Sequence, residues 1–301
     1  MFTRRLLMGA ALAAPALRHA QAQSWKAAYP ELVFAIVPSE NASGVMNRWT
    51  PFCESLSKTL GTKVTLRVAN DYAAVIEGQR AGNIHIASYG PASFARALKT
   101  GAPVEAFCIE VNEDGTKGYH SVFYVKKDSP YQKVQDLRGK NLGLVDPNST
   151  SGNNVPRFAL NKMGINPDQF FGRVIYTGSH ENAVIALQQG TVDMCANWWN
   201  DENESNLRRM ERKGMAKYDD FRIIFKSDQI VNSPMAYLTT LPAELRTAIR
   251  TAVLELPKKE PETFNRIYDG KARPWEPVAN SAYDPIIELI TFVDGLRRQR
   301  G

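Results

Sequence analysis

The stretch Asp146-Pro147-Asn148-Ser149-Thr150-Ser151-Gly152-Asn153-Asn154-Val155-Pro156 decides how the chain is read. The apolar run Asn141–Val145 before it reads as a strand. Val155, Phe158, Ala159 and Met163 after it fall at helical spacing on one face. The stretch is therefore a strand-to-helix turn carrying three consecutive hydroxyls. A helix N-terminus presents free backbone N–H groups and the positive end of the peptide dipoles. An oxyanion there can be held by amides and hydroxyls without a cationic side chain. Taken singly, Ser, Thr, Asn and Gly before a helix are ordinary caps and turn residues. Three adjacent hydroxyls exceed what one cap needs. Pro156 cannot donate in a helix interior, so the helix either begins near Asn153 or begins earlier and bends at Pro156.

Around this turn, strands and helices alternate. Leu32–Val37 reads as a buried strand and Val45–Leu60 as a helix closed by Gly61. Lys63–Val68, Ile84–Ala87, Glu105–Val111 and Ser121–Val125 read as further strands, with helices at Asp71–Ala81 and Ala92–Lys99. A second pass places strands at Leu142–Val145, Val174–Tyr176, Val192–Ala196, Ile223–Phe225 and Met235–Leu238. Its helices follow the hydroxyl turn, span Ala183–Gln189 and Pro242–Leu256, and finish with the amphipathic Pro285–Leu296. Such alternation predicts mostly parallel sheets flanked by helices, with ligands beyond the carboxyl ends of the strands. Late segments returning to the first pass predict two lobes joined by two crossovers, near Tyr119–Val122 and near Ser233–Ala236. Lobe 1 is then 23–119 plus 236–301, lobe 2 is 120–235, and the ligand cleft lies between them.

Met1–Leu17 has a basic start at Arg4-Arg5 and a short apolar middle, and Ala20-Gln21-Ala22 is a small-x-small cleavage pattern. Residues 1–22 read as a cleaved export signal, by the twin-arginine route or an ordinary secretory one. No Cys stands at the cleavage point to carry a lipid. No later apolar run approaches the ~20 residues needed to cross a bilayer, so the mature chain is expected outside the cytoplasm and not inserted in a membrane. The formal charge of +6 includes Arg4, Arg5 and Arg18, leaving 6 − 3 = +3. The basic knot Leu207–Lys213 reads as a solvated helix face and the Arg297–Arg300 tail as a solvated terminus, with no nucleic-acid signature. Cys53, Cys108 and Cys195 are well separated and read as small core residues; one disulfide with one free thiol stays open.

Several side chains can serve the cleft. His180 sits just before a helix, as a cap or as an anion contact. Tyr89, in a turn, and Tyr72, opening a helix, either pack or offer a hydroxyl. Trp198 and Trp199 cannot both face one core, so one of them lines the cleft or both lie on a loop. Nucleophile elbow, His-Glu-x-x-His and phosphate-loop motifs are absent, so no catalytic residue, metal or cofactor is predicted.

These residues carry a family resemblance. Asp146–Gly152 with Val155-Pro156 resembles the anion loop of periplasmic phosphonate-binding proteins, the solute receptors of ABC transporters for phosphonates and related phosphorus oxyanions. The likeness continues through Asn47–Phe52, Asp71–Ala73, Tyr89-Gly90, Gly118–Val122, Lys127–Pro130, Gly178–Glu181 and Val192-Asp193. It implies a type II periplasmic-binding-protein fold, two α/β lobes on a two-stranded hinge. It implies a monomeric receptor that delivers phosphonate, phosphite or phosphate to an inner-membrane permease, and no enzyme. Carried over by residue, Ser149, Thr150 and Ser151, with Gly152, would grip the oxyanion. His180 and Tyr89 would add donors, and Tyr72 would reach in from lobe 1. Members that hold an aminoalkylphosphonate use two carboxylates against its ammonium. Here Asp201 is the nearest match for one, and Ser233 stands at the position of the other. A simple alkylphosphonate, phosphite or phosphate therefore fits as well. Rival readings are a secreted enzyme acting on phosphate esters or phosphonates, and the binding subunit of a phosphorus-sensing system.

Overall fold

The computed structural model describes residues 25–298. The expected export signal and the Gln299–Gly301 end of the basic tail lie outside the described residues. The first pass runs Glu31–Ile36 (β1), Ala42–Leu60 (α1), Lys63–Val68 (β2), Tyr72–Arg80 (α2), Ile86–Ser88 (β3), Pro91–Lys99 (α3) and Val104–Asn112 (β4). The second runs Gly118–Lys126 (β5), Asn141–Leu144 (β6), Val155–Lys162 (α4), Pro167–Phe170 (α5) and Arg173–Tyr176 (β7). It continues through His180–Gln188 (α6), Met194–Trp199 (β8), Asn206–Arg212 (α7), Phe221–Lys226 (β9) and Ile230–Val231 (β10). The chain then returns with Pro234–Leu238 (β11), Ala243–Lys259 (α8), Pro261–Tyr268 (α9), Ala272–Glu276 (β12) and Asp284–Arg298 (α10).

Two sheets result. One has the order β12-β4-β11-β3-β1-β2, the other β10-β5-β8-β6-β7 with β9 also on β5. Parallel pairing joins β1 to β2 and β3, and β6 to β7 and β8, as the βα alternation requires. The chain passes between the sheets at 113–117 and 232–233. That is slightly removed from the crossovers expected near Tyr119–Val122 and Ser233–Ala236, because pairing begins earlier. Gly118 and Tyr119 already pair with Val231 and Ile230, while Pro234 and Met235 pair with β4. The two crossovers are tied to each other, since Asn232 N–H donates to the Lys117 carbonyl at 3.0 Å.

The largest apolar cluster runs across both sheets, and a second one lies on the β5–β8 sheet alone. Phe34, Trp49, Phe52 and Trp275 interlock in the first lobe, with ring centroids 5.1 to 5.9 Å apart. Phe123, Leu142, Leu144, Leu160 and Met194 fill the second. Residues 257–284, which lie between the expected helices Pro242–Leu256 and Pro285–Leu296, include α9 and β12. Glu260 leaves helical geometry, and Pro261 restarts the chain as α9. Strand β8 runs on to Trp199, beyond the expected end at Ala196, so successive tryptophans alternate across it. The three cysteines are buried and free, as small core residues.

Candidate functional site

The hydroxyl stretch folds as a single wide turn. Thr150–Asn154 forms a π-helical turn whose cap, Ser149, accepts the Gly152 N–H at 3.1 Å. The turn runs directly into α4, so the helix begins at Thr150. Pro156 is the second residue of α4. The i→i+5 pattern, with Val155 N–H on the Thr150 carbonyl, leads the backbone over a proline that has no N–H to give. Gly152 is required for packing: a Cβ there would stand 2.4 Å from the Val145 side chain. It shapes the loop and does not line the cavity.

Four helix N-termini converge on one cavity of about 130 Å3: Tyr72 of α2, Gly90 before α3, Ser149–Ser151 before α4, and His180 of α6. Each contributes the positive end of its peptide dipoles. Burial holds the phenols of Tyr72 and Tyr119 well above their ordinary value, so both remain O–H donors. Tyr72 lies beside the Ser149 side chain, and Tyr119 beside those of Thr150 and Ser151. Tyr89 lines the cavity, but its hydroxyl points to the Val75 carbonyl at 3.5 Å inside lobe 1. Tyr119, not Tyr89, is thus the hydroxyl on the oxyanion loop.

His180 is buried and burial drives its ring down to about 3, so it is neutral. Asn197 fixes its tautomer. The Asn197 amide nitrogen donates to the His180 carbonyl at 3.0 Å, and its oxygen accepts Trp198 N–H at 3.0 Å. That oxygen also lies 3.1 Å from His180 Nδ1, which must carry the proton. Nε2 therefore shows a bare lone pair towards Ser149, 3.5 Å away. The expected donor is an acceptor, because the partner on the far side of the ring takes its only proton.

Ser233 lines the cavity, whereas Asp201 does not. Asp201 caps a turn, accepting Asn203 and Glu204 N–H at 2.7 and 2.9 Å. Its neighbour Asn200 takes the place in the lining. Trp198 faces the cavity, and Trp199 carries Lys226 over its ring on the opposite side.

The cavity also holds charged residues that the sequence reading passed over: Glu40, Arg48, Glu110 and Arg209. Arg209 belongs to the knot expected to be a solvated helix face. It is instead ion-paired with buried Glu204 and stacked 4.8 Å from the Trp198 ring. Arg48 is 5% exposed and ion-paired with Glu40 and Asp269 at 3.4 and 3.3 Å. A signal was available for Arg48, which falls three residues after Val45 and four before Phe52, on the apolar face of α1. Glu110 stands at the carboxyl end of β4, on the face shared with Cys108, where ligands of such sheets are found.

The model of a periplasmic substrate-binding protein of phosphonate ABC transporters matches residues 34–283. A phosphonates-binding periplasmic protein of Escherichia coli K12 is 35% identical over 217 residues, which cover 70% of this chain and 61% of that protein. The chain thus spans less than two thirds of that relative. A phosphate-import protein of Mycolicibacterium smegmatis is 29% identical, with 86% and 84% covered. Among solved structures, a binding protein component of an ABC phosphonate transporter from Pseudomonas aeruginosa aligns with a TM-score of 0.79 and 27% identity, covering 87% of this chain and 86% of that one. A Prochlorococcus marinus protein solved with methylphosphonate shares the fold at a TM-score of 0.75 and 19% identity, with 88% and 98% covered.

Proposed function

Because the chain belongs to the family of periplasmic substrate-binding proteins of phosphonate ABC transporters, we propose that it captures a small phosphonate or related phosphorus oxyanion and hands it to an inner-membrane permease. Its fold is that of the type II periplasmic-binding proteins. The observation that carries the reading is the convergence of four helix N-termini and three loop hydroxyls on one cavity in which both arginines are already ion-paired. The positive potential for an anion then comes from backbone dipoles and neutral donors.

In this reading the hydroxyls of Ser149, Thr150 and Ser151 and the N–H groups of Thr150 and Ser151 surround the oxyanion. Tyr72 and Tyr119 donate to it, His180 Nε2 accepts a hydrogen bond from it, and Ser233 borders the tail. Size supports a small ligand: about 130 Å3 is close to the roughly 150 Å3 that holds a benzene ring. A phosphonate of one or two carbons fits, and a nucleotide does not. The chain acts as a monomeric receptor rather than an enzyme, exported by the twin-arginine signal at its start. Its lobes are 23–119 with 236–301, and 120–235, give or take the few residues at each crossover; sheet membership supports this division. A thermal-shift panel of methylphosphonate, phosphite, phosphate and sulfate tests the reading. Ligand at 100 times its dissociation constant adds about 2.7 kcal/mol, a rise of several degrees for a chain this size. A shift with a phosphorus oxyanion and no turnover of a chromogenic phosphate ester supports a receptor. Ester turnover, or no shift with any phosphorus oxyanion, refutes it.

A further inference from the structure

Besides the hydroxyl loop, the cavity is lined by charged side chains. Arg48 and Arg209 reach it from α1 and α7, Glu40 from the loop before α1, and Glu110 from β4. Three of these four are neutralised by ion pairs. Arg48 pairs with Glu40 and Asp269, Arg209 with Glu204, and Glu40 also with Lys213. Glu110 makes no ion pair among the described residues. Its side-chain donor is the Tyr268 hydroxyl at 3.2 Å, itself held by Trp275 Nε1 at 2.8 Å. The Asn232 amide, which could have served, is turned to the Glu110 backbone carbonyl and to Asn112.

A carboxyl group enclosed in a cavity without a cation is costly to ionise. Burial raises this one to about 7. A bound oxyanion would oppose its ionisation further, and the protein offers it only the Tyr268 hydroxyl and, beyond ion-pair distance, the charge of Arg209, which is already paired with Glu204. A cation on the ligand would give it a closer partner. We infer that Glu110 is a specificity-determining residue of the cavity, accepting a hydrogen-bond donor, best an ammonium, carried on the organic tail of a short phosphonate. This rests on the receptor reading above. It places the tail's recognition on a lobe 1 strand, not on Asp201, which is spent on a turn, nor on Ser233, which has no charge. Arg48 and Arg209 stay with their own carboxylates and leave Glu110 free for the tail.

The test is calorimetric titration of the purified protein at pH 8 with 2-aminoethylphosphonate and ethylphosphonate, in wild type, Glu110→Gln and Glu110→Ala. Wild type is expected to bind the amine-bearing ligand about tenfold tighter or more, the yield of one charge-assisted hydrogen bond. Glu110→Gln, nearly isosteric, should weaken the amine-bearing ligand by that factor. It should also tighten ethylphosphonate, which no longer meets a second anion. Glu110→Ala should collapse the ratio likewise. An unchanged ratio in both variants, or a wild-type preference for ethylphosphonate, overturns the inference while leaving the receptor reading intact. A wild type that binds neither ligand nor phosphate or phosphite overturns both.

Discussion

The Thr150 hydroxyl oxygen accepts the Ala92 backbone N–H at 2.8 Å, joining the oxyanion loop of lobe 2 to the first turn of α3 in lobe 1. The contact is buried on both sides. Thr150 therefore ties the proposed oxyanion loop to lobe 1, and on the proposed function it would serve both ligand and closure.

Thr150→Val keeps the shape and leaves the Ala92 N–H without its acceptor. An orphaned buried donor costs roughly 1–3 kcal/mol. Closure should weaken by that amount and the dissociation constant for methylphosphonate should rise by about tenfold to a hundredfold. Calorimetry checks the affinity, and small-angle scattering with and without ligand checks that the variant stays open longer.

Lys213 bridges the two lobes. It pairs with Glu181 of α6 at 2.7 Å and with Glu40 of lobe 1, while Glu181 accepts Asn41 N–H at 2.8 Å. Lys213→Ala leaves Glu181 without a cation and Glu40 with Arg48 alone, and removing one partner of such a group costs on the order of 1–3 kcal/mol for a half-buried pair. Stopped-flow release of ligand should be faster in the variant. In wild type the release rate should rise with salt, because the bridge is partly exposed and screened.

Glu110 gives stability a pH dependence of defined sign. Burial raises its carboxyl from near 4.5 to about 7. Arg209 of α7 opposes that rise, Tyr268 of α9 donates to it, and Glu204 adds to it; Tyr119 of β5 and Tyr283 also face it. Between those two values the folded protein holds a proton that the unfolded chain has lost. The contribution is whole below pH 4.5 and is lost as pH rises through 7. Urea unfolding of ligand-free protein should show wild type losing on the order of 1–3 kcal/mol relative to Glu110→Gln between pH 5 and pH 8. An equal response in the two proteins would contradict the assignment.

His180, held neutral with its proton on Nδ1, favours an oxyanion that still carries a proton. A phosphonate monoanion can donate to Nε2, and a sulfonate cannot. Methylphosphonate should bind at least about tenfold tighter than methanesulfonate at pH 6, the value of one hydrogen bond to a charged group. His180→Gln, which can present an amide donor, should narrow that gap in competition titrations.

Much of this arrangement is legible in the chain itself. The hydroxyl loop, its strand and its helix follow from Asn141–Val145 and from the spacing of Val155, Phe158 and Ala159, because local patterns set local structure. The alternation of strands and helices likewise yields two sheets. The charged lining of the cavity is another matter. Arg209 and Glu204 are five residues apart and look like a solvated helix, and only the approach of Trp198 from β8 makes them a buried pair. Glu110 and Tyr268 are 158 positions apart. The direction of the Tyr89 hydroxyl and the tautomer of His180 depend on Val75 and Asn197, partners set by packing and not by spacing.

The central claim is that Ser149, Thr150 and Ser151 hold a phosphorus oxyanion, and calorimetric titration of methylphosphonate into wild type and a Ser149→Ala/Ser151→Ala double variant tests it most directly. The account predicts saturable binding at one site in wild type. In a double variant that still unfolds cooperatively, affinity should fall by about a hundredfold or more, as loss of two hydrogen bonds to a charged group requires. Equal affinity in the two proteins would show that the oxyanion sits elsewhere, and the assignment of this loop would be wrong.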